Sequence, residues 1–211
     1  MKITIYATFA FLPFLMTLAP SGKIISINPD QTEQINSIIK KAEAGDTIHF
    51  TAGKYITKTS ISIRNKKNLK IVGEDGTEFI LNDMHDVVFF IYESDNISVK
   101  NIKARHAIPR QPGGKCSGGV IAVFYSHDIE IINSELNGSG TLGVDIGYSS
   151  NVRIVGSYLH HNTVAGVALR GIIDGIIIEN NHIVNNPKAI DTDLTKEQLE
   201  KYVVMRNNNF K

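Results

Sequence analysis

One short stretch, repeated with variation, constrains the fold of this chain more than any other feature. Residues 141–162 read TLGVDIGYSSNVRIVGSYLHHN, in which two strand-like runs flank a serine-containing turn and a third run ends in an Asn/His corner. The same unit returns upstream as GVIAVFYSHDIEIINSELNGSG and downstream as AGVALRGIIDGIIIENNHIVNN. A unit of this length cannot bury its own apolar face, so its repetition predicts a solenoid in which each unit forms one rung.

Alignment of the units on their second strand places chemically similar residues at equivalent positions. Strand alternation directs two of the resulting columns inward. The first column contains Leu69, Ile97, Ile129, Val152, Ile176 and Val203, and the second contains Ile71, Val99, Ile131, Ile154, Ile178 and Met205. A polar column is expected at a tight bend, where side chains hydrogen-bond along the stack: Ser134, Ser157, Asn181 and Asn208. Uniform columns of this kind are required by stacked parallel strands.

The entry to the repeats carries a family resemblance. The stretch AEAGDTIHFTAGKYITKTSISIRNKKNLKIVGEDG resembles the start of the right-handed parallel β-helix superfamily, the pectate-lyase-like fold, and the resemblance covers residues 28–211. It implies an all-β chain, a single-stranded right-handed parallel β-helix of about six rungs with an N-terminal capping helix. That superfamily includes lyases, hydrolases, esterases, epimerases and non-catalytic binders, so the resemblance implies a fold more than an activity.

The N-terminal end of the solenoid has a predicted cover. Residues 30–44, DQTEQINSIIKKAEA, form an amphipathic pattern in which Asp30 is expected to cap the helix together with Glu33. The apolar face consists of Ile35, Ile38, Ile39 and Ala42. A helix here would shield the unpaired strand edges that an open β-helix end exposes.

The other end has a thinner predicted cover. Residues 194–201 read as a short helical insertion before the last strand, with Thr195 and Gln198 as a capping box. Because this element covers little of the end, a homodimer formed through the end of the solenoid is one expectation.

The N-terminus and the composition bound the location and the partners. Residues 1–19 carry an early lysine and then an apolar run, which predicts a signal peptide and a secreted, periplasmic or cell-surface protein. A membrane anchor is the alternative, although the run is short for a span, and no other segment is apolar enough to cross a bilayer. The formal net charge of +1 does not favour binding to nucleic acid. Cys116 is the only cysteine of the sequence, which precludes an internal disulfide.

The first strand of each unit presents two outward columns. One contains Phe90, Ala122, Asp145, Ala168 and Asp191, and the other contains Tyr92, Phe124, Gly147, Arg170 and Asp193. Aromatic rings on one half and charges on the other favour a sugar-binding cleft, with Phe90, Tyr92 and Phe124 as substrate-binding residues. The alternative is that long loops cover these rings.

A basic insertion is predicted over residues 105–118. It contains Arg105, His106, Arg110 and Lys115 without an acidic residue, and it precedes the strand at Ala122. In the family that the chain resembles, loops at this corner build the substrate groove, so these side chains are expected to bind an acidic polysaccharide. A solvated loop without a ligand is the alternative.

Cleavage of a uronate polymer by β-elimination requires neutralisation of a carboxylate, a base and an acid. Family members similar to this chain often use Lys or Arg as the base and acidic residues of neighbouring rungs to hold Ca²⁺. The catalytic candidates are Arg170 or His161 as base and Asp145 to orient the substrate or a cation, and Asp191 with Asp193 are the candidates for calcium. His160 lies next to His161 and is assigned to substrate binding, although local hydrogen bonding in a turn explains both histidines as well.

These residues lead to a functional hypothesis with open alternatives. The chain is expected to be an exported β-helix protein that binds, and in one version cleaves by β-elimination, an acidic polysaccharide. The sharper catalytic signatures of pectate lyases, hydrolases and uronan epimerases are missing from the sequence. A non-catalytic carbohydrate-binding or cell-surface module, and a structural or assembly protein, therefore remain the alternatives.

Overall fold

A computed structural model describes residues 22–108, 117–138 and 141–210. The predicted signal peptide, Arg110, Lys115 and Cys116 lie outside the described residues.

Short strands follow one another along the described chain. The first eleven are β1 (Ile24–Ile27), β2 (Thr47–Phe50), β3 (Gly53–Thr57), β4 (Ile61–Arg64), β5 (Lys67–Gly73), β6 (Thr77–Leu81), β7 (Phe89–Tyr92), β8 (Asp95–Lys100), β9 (Lys103–His106), β10 (Ile121–Phe124) and β11 (His127–Ile132). The remaining ten are β12 (Glu135–Asn137), β13 (Leu142–Gly147), β14 (Ser150–Val155), β15 (Tyr158–His160), β16 (Ala165–Arg170), β17 (Ile176–Glu179), β18 (His182–Val184), β19 (Lys188–Thr192), β20 (Val203–Arg206) and β21 (Asn209–Phe210).

The strands form three parallel sheets that wrap around one core. Sheet 1 has the order β1-β2-β5-β8-β11-β14-β17-β20, sheet 2 has the order β4-β7-β10-β13-β16-β19, and sheet 3 has the order β3-β6-β9-β12-β15-β18-β21. Each complete turn of the chain contributes one strand to each sheet, which is the architecture of a parallel β-helix. The predicted fold class is confirmed.

The predicted inward columns coincide with the register of sheet 1. Leu69 pairs with Ile97, Ile97 with Ile129, and Ile129 with Val152, and all four are buried. The second column ends differently, because Met205 on the outermost strand is 42% exposed whereas its neighbour Ile178 is fully buried. Burial in a solenoid comes from the rungs above and below, so an inward position on a terminal rung stays partly open.

The predicted polar column forms a hydrogen-bonded ladder. The backbone N–H of Ser134 donates to Ser157 Oγ at 3.2 Å, that of Ser157 to Asn181 Oδ1 at 2.8 Å, and that of Asn181 to Asn208 Oδ1 at 3.0 Å. Each side chain thus satisfies an amide that the turn removes from the sheet ladder and buries. The sequence prediction for this column is confirmed.

Turns between the sheets use residues with positive φ at equivalent positions in successive rungs. Asn101, Asn133, Gly156, Asn180 and Asn207 occupy the turn between sheets 1 and 3. Asparagine and glycine reach this left-handed region at low cost, so the turn column is chemically simple. The turn between sheets 2 and 1 differs, because Tyr125 and Tyr148 stand there with φ of 52° and 50°.

The N-terminal cap is present but begins differently from the prediction. A 3₁₀ helix, Pro29–Gln34, precedes helix α1 (Ile35–Lys41), whose buried residues Ile35 and Ile39 face the core. The predicted cap formed by Asp30 and Glu33 is wrong. Asn28 is the cap instead: its side chain accepts from the N–H of Asp30 at 3.1 Å, and its own N–H donates to Gln31 Oε1 at 3.1 Å. Pro29 explains the shift, because proline at the first helical position has no N–H to satisfy.

The C-terminal insertion is helix α2 (Lys196–Tyr202), capped by Thr195 and Gln198 as predicted. Beyond it the outermost strands leave apolar side chains exposed, including Phe210 at 46%. The homodimer expected at this end stays a prediction.

Candidate functional site

The outer face of sheet 2 contains the predicted columns. Strand pairing aligns Phe90 with Ala122, Ala122 with Asp145, and Asp145 with Ala168, and β19 adds Asp191. In the neighbouring column Gly147 of β13 pairs with Arg170 of β16. The structure therefore brings Asp145, Arg170 and Asp191 together on adjacent rungs, about 4.8 Å apart per rung.

Asp191 is held by two cations. Arg170 donates through Nη2 to Asp191 Oδ2, and Lys188 Nζ lies 2.7 Å from Oδ1. The hydrogen bonds from Lys188 and then Arg170 lower the pKa of Asp191 from its ordinary value. The ion pair with Asp191 engages the Arg170 guanidinium, a geometry that suits the binding of a carboxylate.

Asp145 is the unusual carboxyl of this face. Its Oδ1 is buried and has no hydrogen-bond partner among the described residues. Burial raises the pKa of Asp145; Arg170 acts against this shift and Asp191 adds to it. A buried, unpaired polar atom in a native fold requires an explanation, and a carboxyl with a raised pKa on an outer face is a candidate for ligand contact.

Calcium does not fit the predicted aspartates. Both oxygens of Asp191 are engaged by cations, and both oxygens of Asp193 accept the N–H of Gly171 at 3.2 Å. Within the described ranges no group of three or more His, Cys, Asp or Glu side chains could hold a metal ion. Ca²⁺ needs six to eight oxygen ligands, so this pair does not support a calcium site.

The two histidines lie away from this centre. His160 belongs to β15 of sheet 3, where its ring stacks on Tyr158 at 3.9 Å and its Nε2 lies 3.6 Å from Glu135 Oε1. His161 follows at the corner, and the two Nδ1 atoms are 2.7 Å apart. His161 precedes β16 whereas Arg170 ends it, so the length of the strand, roughly 17 Å, separates them. The structure therefore does not bring His161 and Arg170 into one site.

The predicted aromatic residues lie on the expected face but are largely packed. The guanidinium of Arg64 lies over the rings of Phe90 and Tyr92, at 4.5 and 5.1 Å from their centroids. The ring of Phe124 covers Gly147, where a Cβ would approach it to 2.4 Å. Among the described residues, neighbouring side chains thus occupy part of the ring surface that was expected to stack on sugars.

Sequence reasoning missed two tyrosines that continue this strip. Tyr125 and Tyr148 are 49% and 47% exposed, and their rings stack with centroids 5.1 Å apart and an angle of 6°. They occupy the positive-φ turn position that Asn65, Glu93 and Gly171 fill in other rungs, where a bulky residue is less favourable than glycine or asparagine. The available signal was two successive units with Tyr directly after the first strand.

The predicted basic insertion begins too early. Arg105 lies in β9 and pairs through Nε with Glu78 Oε1 at 2.7 Å, on the outside of sheet 3. His106 is fully buried and its Nε2 bonds to the carbonyl oxygen of Asp86 at 2.9 Å, so this side chain is structural and leaves the substrate-binding set. Arg110 and Lys115 lie outside the described residues.

The comparisons with known sequences concern the repeats. A family model for the right handed beta helix region matches residues 87–211. No curated protein matches the chain significantly. Among the described residues there is no helix of the length and apolar character that a bilayer crossing requires.

Several solved structures share the architecture at low identity. Pectate lyase Pel9A has a TM-score of 0.68 at 12% identity, over 90% of this chain and 55% of that one. PfbA, a surface adhesin of Streptococcus pneumoniae, has 0.65 at 14%, over 84% and 51%. An alginate lyase from Paenibacillus sp. str. FPU-7 has 0.59 at 15%, over 89% and 76%. The chain thus spans about half the length of the first two, and the likeness shows the fold alone.

Proposed function

Because the chain belongs to the right-handed β-helix family, we propose that it binds an acidic polysaccharide across the outer face of sheet 2. The observation that carries this proposal is the partly buried carboxyl of Asp145 on the rung next to Arg170, whose Oδ1 has no hydrogen-bond partner among the described residues. An open face suits a polymer, since successive rungs offer successive contacts along the axis.

The charges of this centre favour an anion with hydroxyl groups. Arg170 and Lys188 share the carboxylate of Asp191, so two cationic side chains lie where a ligand carboxylate can reach them, beside the carboxyl of Asp145. A uronate carboxylate competes with Asp191 for the guanidinium of Arg170, because guanidinium groups bind carboxylates through bidentate hydrogen bonds. A ring hydroxyl of the same sugar donates to the carboxyl of Asp145, whose side chain is only partly buried.

The named neighbours support this class of ligand. Two of them are a pectate lyase and an alginate lyase, which indicates that this architecture accommodates uronate polymers. A surface adhesin shares the fold as well, so the architecture is not restricted to lyases. At 12–15% identity the chemistry must rest on the side chains of this chain.

Cleavage by β-elimination is a second candidate, favoured by the raised pKa of Asp145. In that reaction a base removes the C5 proton, the C4–O bond breaks, and a C4=C5 double bond forms. The departing oxygen takes a proton, which a protonated Asp145 is placed to donate. Arg170 is ion-paired and His161 is distant, so the proposal rests on binding and leaves the base unassigned.

The test is calorimetric titration with polygalacturonate, alginate and a neutral glucan, accompanied by ultraviolet absorbance of the unsaturated product. Arg170→Gln should weaken binding of the acidic polymers about tenfold. Arg153→Gln is the matched control, because Arg153 is a paired arginine on sheet 1. Equal binding of the neutral glucan, or equal losses in both variants, would overturn the proposal, and an absorbance rise would add the lyase activity.

Export is part of the same proposal, since such polymers lie outside the cell. The apolar run in residues 1–19 supports a cleaved leader. Expression of the full chain with its leader should yield a shortened protein in the secreted fraction, measured by intact mass. An uncleaved protein retained with membranes would favour the anchor instead.

A further inference from the structure

A pocket of about 380 Å³ lies where the turn at residues 171–174 faces helix α2. The helix side of the pocket is lined by Leu194, Gln198 and Tyr202. Its volume falls within the range of small-ligand sites, about 300–1,000 Å³. It is large enough for one sugar ring with a substituent.

The pocket adjoins the face proposed to bind the polymer. Gly171, which lines it, directly follows Arg170. A Cβ on Gly171 would approach Cε1 of Tyr148 to 2.6 Å, so the tyrosine ring covers this glycine. A polysaccharide that contacts Arg170 therefore reaches the pocket with its neighbouring sugar.

The lining combines apolar surface with one donor and one acceptor. Ile172 is 80% exposed and Leu194 is half-buried, which leaves aliphatic surface in contact with water. Gln198 uses Oε1 to accept the N–H of Thr195 at 2.8 Å, whereas its Nε2 has no hydrogen bond among the described residues. The carboxylate of Asp174 has neither a hydrogen bond nor an ion pair there, although its backbone N–H donates to Ser149 O at 3.4 Å.

We propose that this pocket binds the acetamido group of an N-acetylated amino sugar, so that the polymer alternates such sugars with uronates. The methyl group packs on Ile172 and Leu194, the carbonyl accepts from Gln198 Nε2, and the amide N–H donates to Asp174. An acetamido group presents these three features within one small planar unit, whereas a plain hydroxyl lacks the apolar part. The inference rests on the proposed function and specifies its substrate class.

The test compares two polymers by calorimetry on the full chain. Hyaluronan oligosaccharides alternate a uronate with an N-acetylated amino sugar, and polygalacturonate oligosaccharides contain uronates alone. The wild type should bind hyaluronan about tenfold more tightly, as one well-made hydrogen bond with apolar contact provides.

Two variants locate the preference in the pocket. Gln198→Glu keeps an acceptor for the cap of α2 but replaces the Nε2 donor. Ile172→Ser removes exposed aliphatic surface, and Ile56→Ser is its matched control, because Ile56 is 54% exposed on sheet 3. Ile172→Ser should lower hyaluronan affinity several-fold and leave polygalacturonate binding unchanged, whereas Ile56→Ser should change neither. Gln198→Glu also adds a negative charge, so it should weaken the binding of both polymers, and that of hyaluronan more strongly.

The outcomes separate this inference from the proposed function. Equal affinity for the two polymers, or equal losses for both in the pocket variants, would overturn the acetamido site while leaving acidic-polysaccharide binding intact. If neither polymer binds, the proposed function fails and the acetamido site fails with it.

Discussion

Arg170, the last residue of β16, is ion-paired with Asp191 of the next rung, and Asp145 on the preceding rung lies beside this pair; its Oδ1 has no partner in the part of the chain that the structure describes. The pair fixes a guanidinium at the carboxyl end of β16, while the carboxyl of Asp145 has an oxygen without a hydrogen bond among the described residues. The carboxylate of Asp191 is held by two cations, whereas one oxygen of Asp145 has no hydrogen bond among the described residues. The first two predictions follow from this difference.

Asp145→Asn should preserve or raise stability at neutral pH, because the amide carries no charge into a partly buried position. Because the folded pKa of Asp145 lies above its ordinary value of 3.8, the folded state binds more protons than the unfolded state in that window. Wild-type stability therefore falls as pH rises from the ordinary pKa through the raised one. The stability difference between Asp145→Asn and wild type should grow over this rise, measured by urea unfolding. A variant less stable at pH 7 than at pH 3, relative to wild type, would contradict this account.

Asp191→Asn should increase affinity for an acidic polymer. The carboxylate of Asp191 competes with a ligand carboxylate for Arg170 and Lys188, so its removal frees both cations. We expect binding tighter by roughly three- to tenfold, with a steeper salt dependence. Calorimetry at two salt concentrations measures both effects. Weaker binding would mean that Asp191 mainly positions Arg170 instead of competing for it.

The fold could be predicted because a solenoid repeats similar residue types at equivalent positions of every rung. The column from Leu69 to Val203 and the ladder from Ser134 to Asn208 follow from alternation and from the need to satisfy buried amides. Neither argument requires knowledge of distant contacts, since each rung contacts only its neighbours.

The site was less predictable because side-chain partners come from other rungs. The sequence gives no indication that Glu78 engages Arg105 or that Arg64 covers Phe90. His106 could have been placed correctly, because alternation from the buried Ala104 directs it inward. The assumption that a basic loop begins at Arg105 hid the fact that His106 faces the same side of β9 as Ala104.

Asn181→Ala should destabilise the solenoid by about 2–4 kcal/mol. Asn181 accepts the N–H of Ser157 at 2.8 Å and donates through Nδ2 to Ile154 O at 2.8 Å, so alanine would leave two buried backbone groups unsatisfied. Asn180→Gly is the matched control, because Asn180 is exposed with φ of 57°, which glycine adopts freely. Chemical denaturation measures both variants. Equal stability losses at the two positions would show that the ladder contributes nothing specific.

His106→Gln should reduce the acid sensitivity of the fold. Burial lowers the pKa of His106 below its ordinary value of 6.5, so the folded state binds fewer protons than the unfolded state just below that pH. The stability that neutral His106 provides is complete above pH 6.5 and is lost as pH falls below it. The pKa of His160 is also lowered, chiefly by burial and then by His161. His106→Gln therefore removes only part of the pH dependence of stability. Urea unfolding at pH 5 and pH 7 should show a smaller difference for His106→Gln than for wild type. An unchanged difference would assign the acid sensitivity to other groups and leave His106 without a role in it.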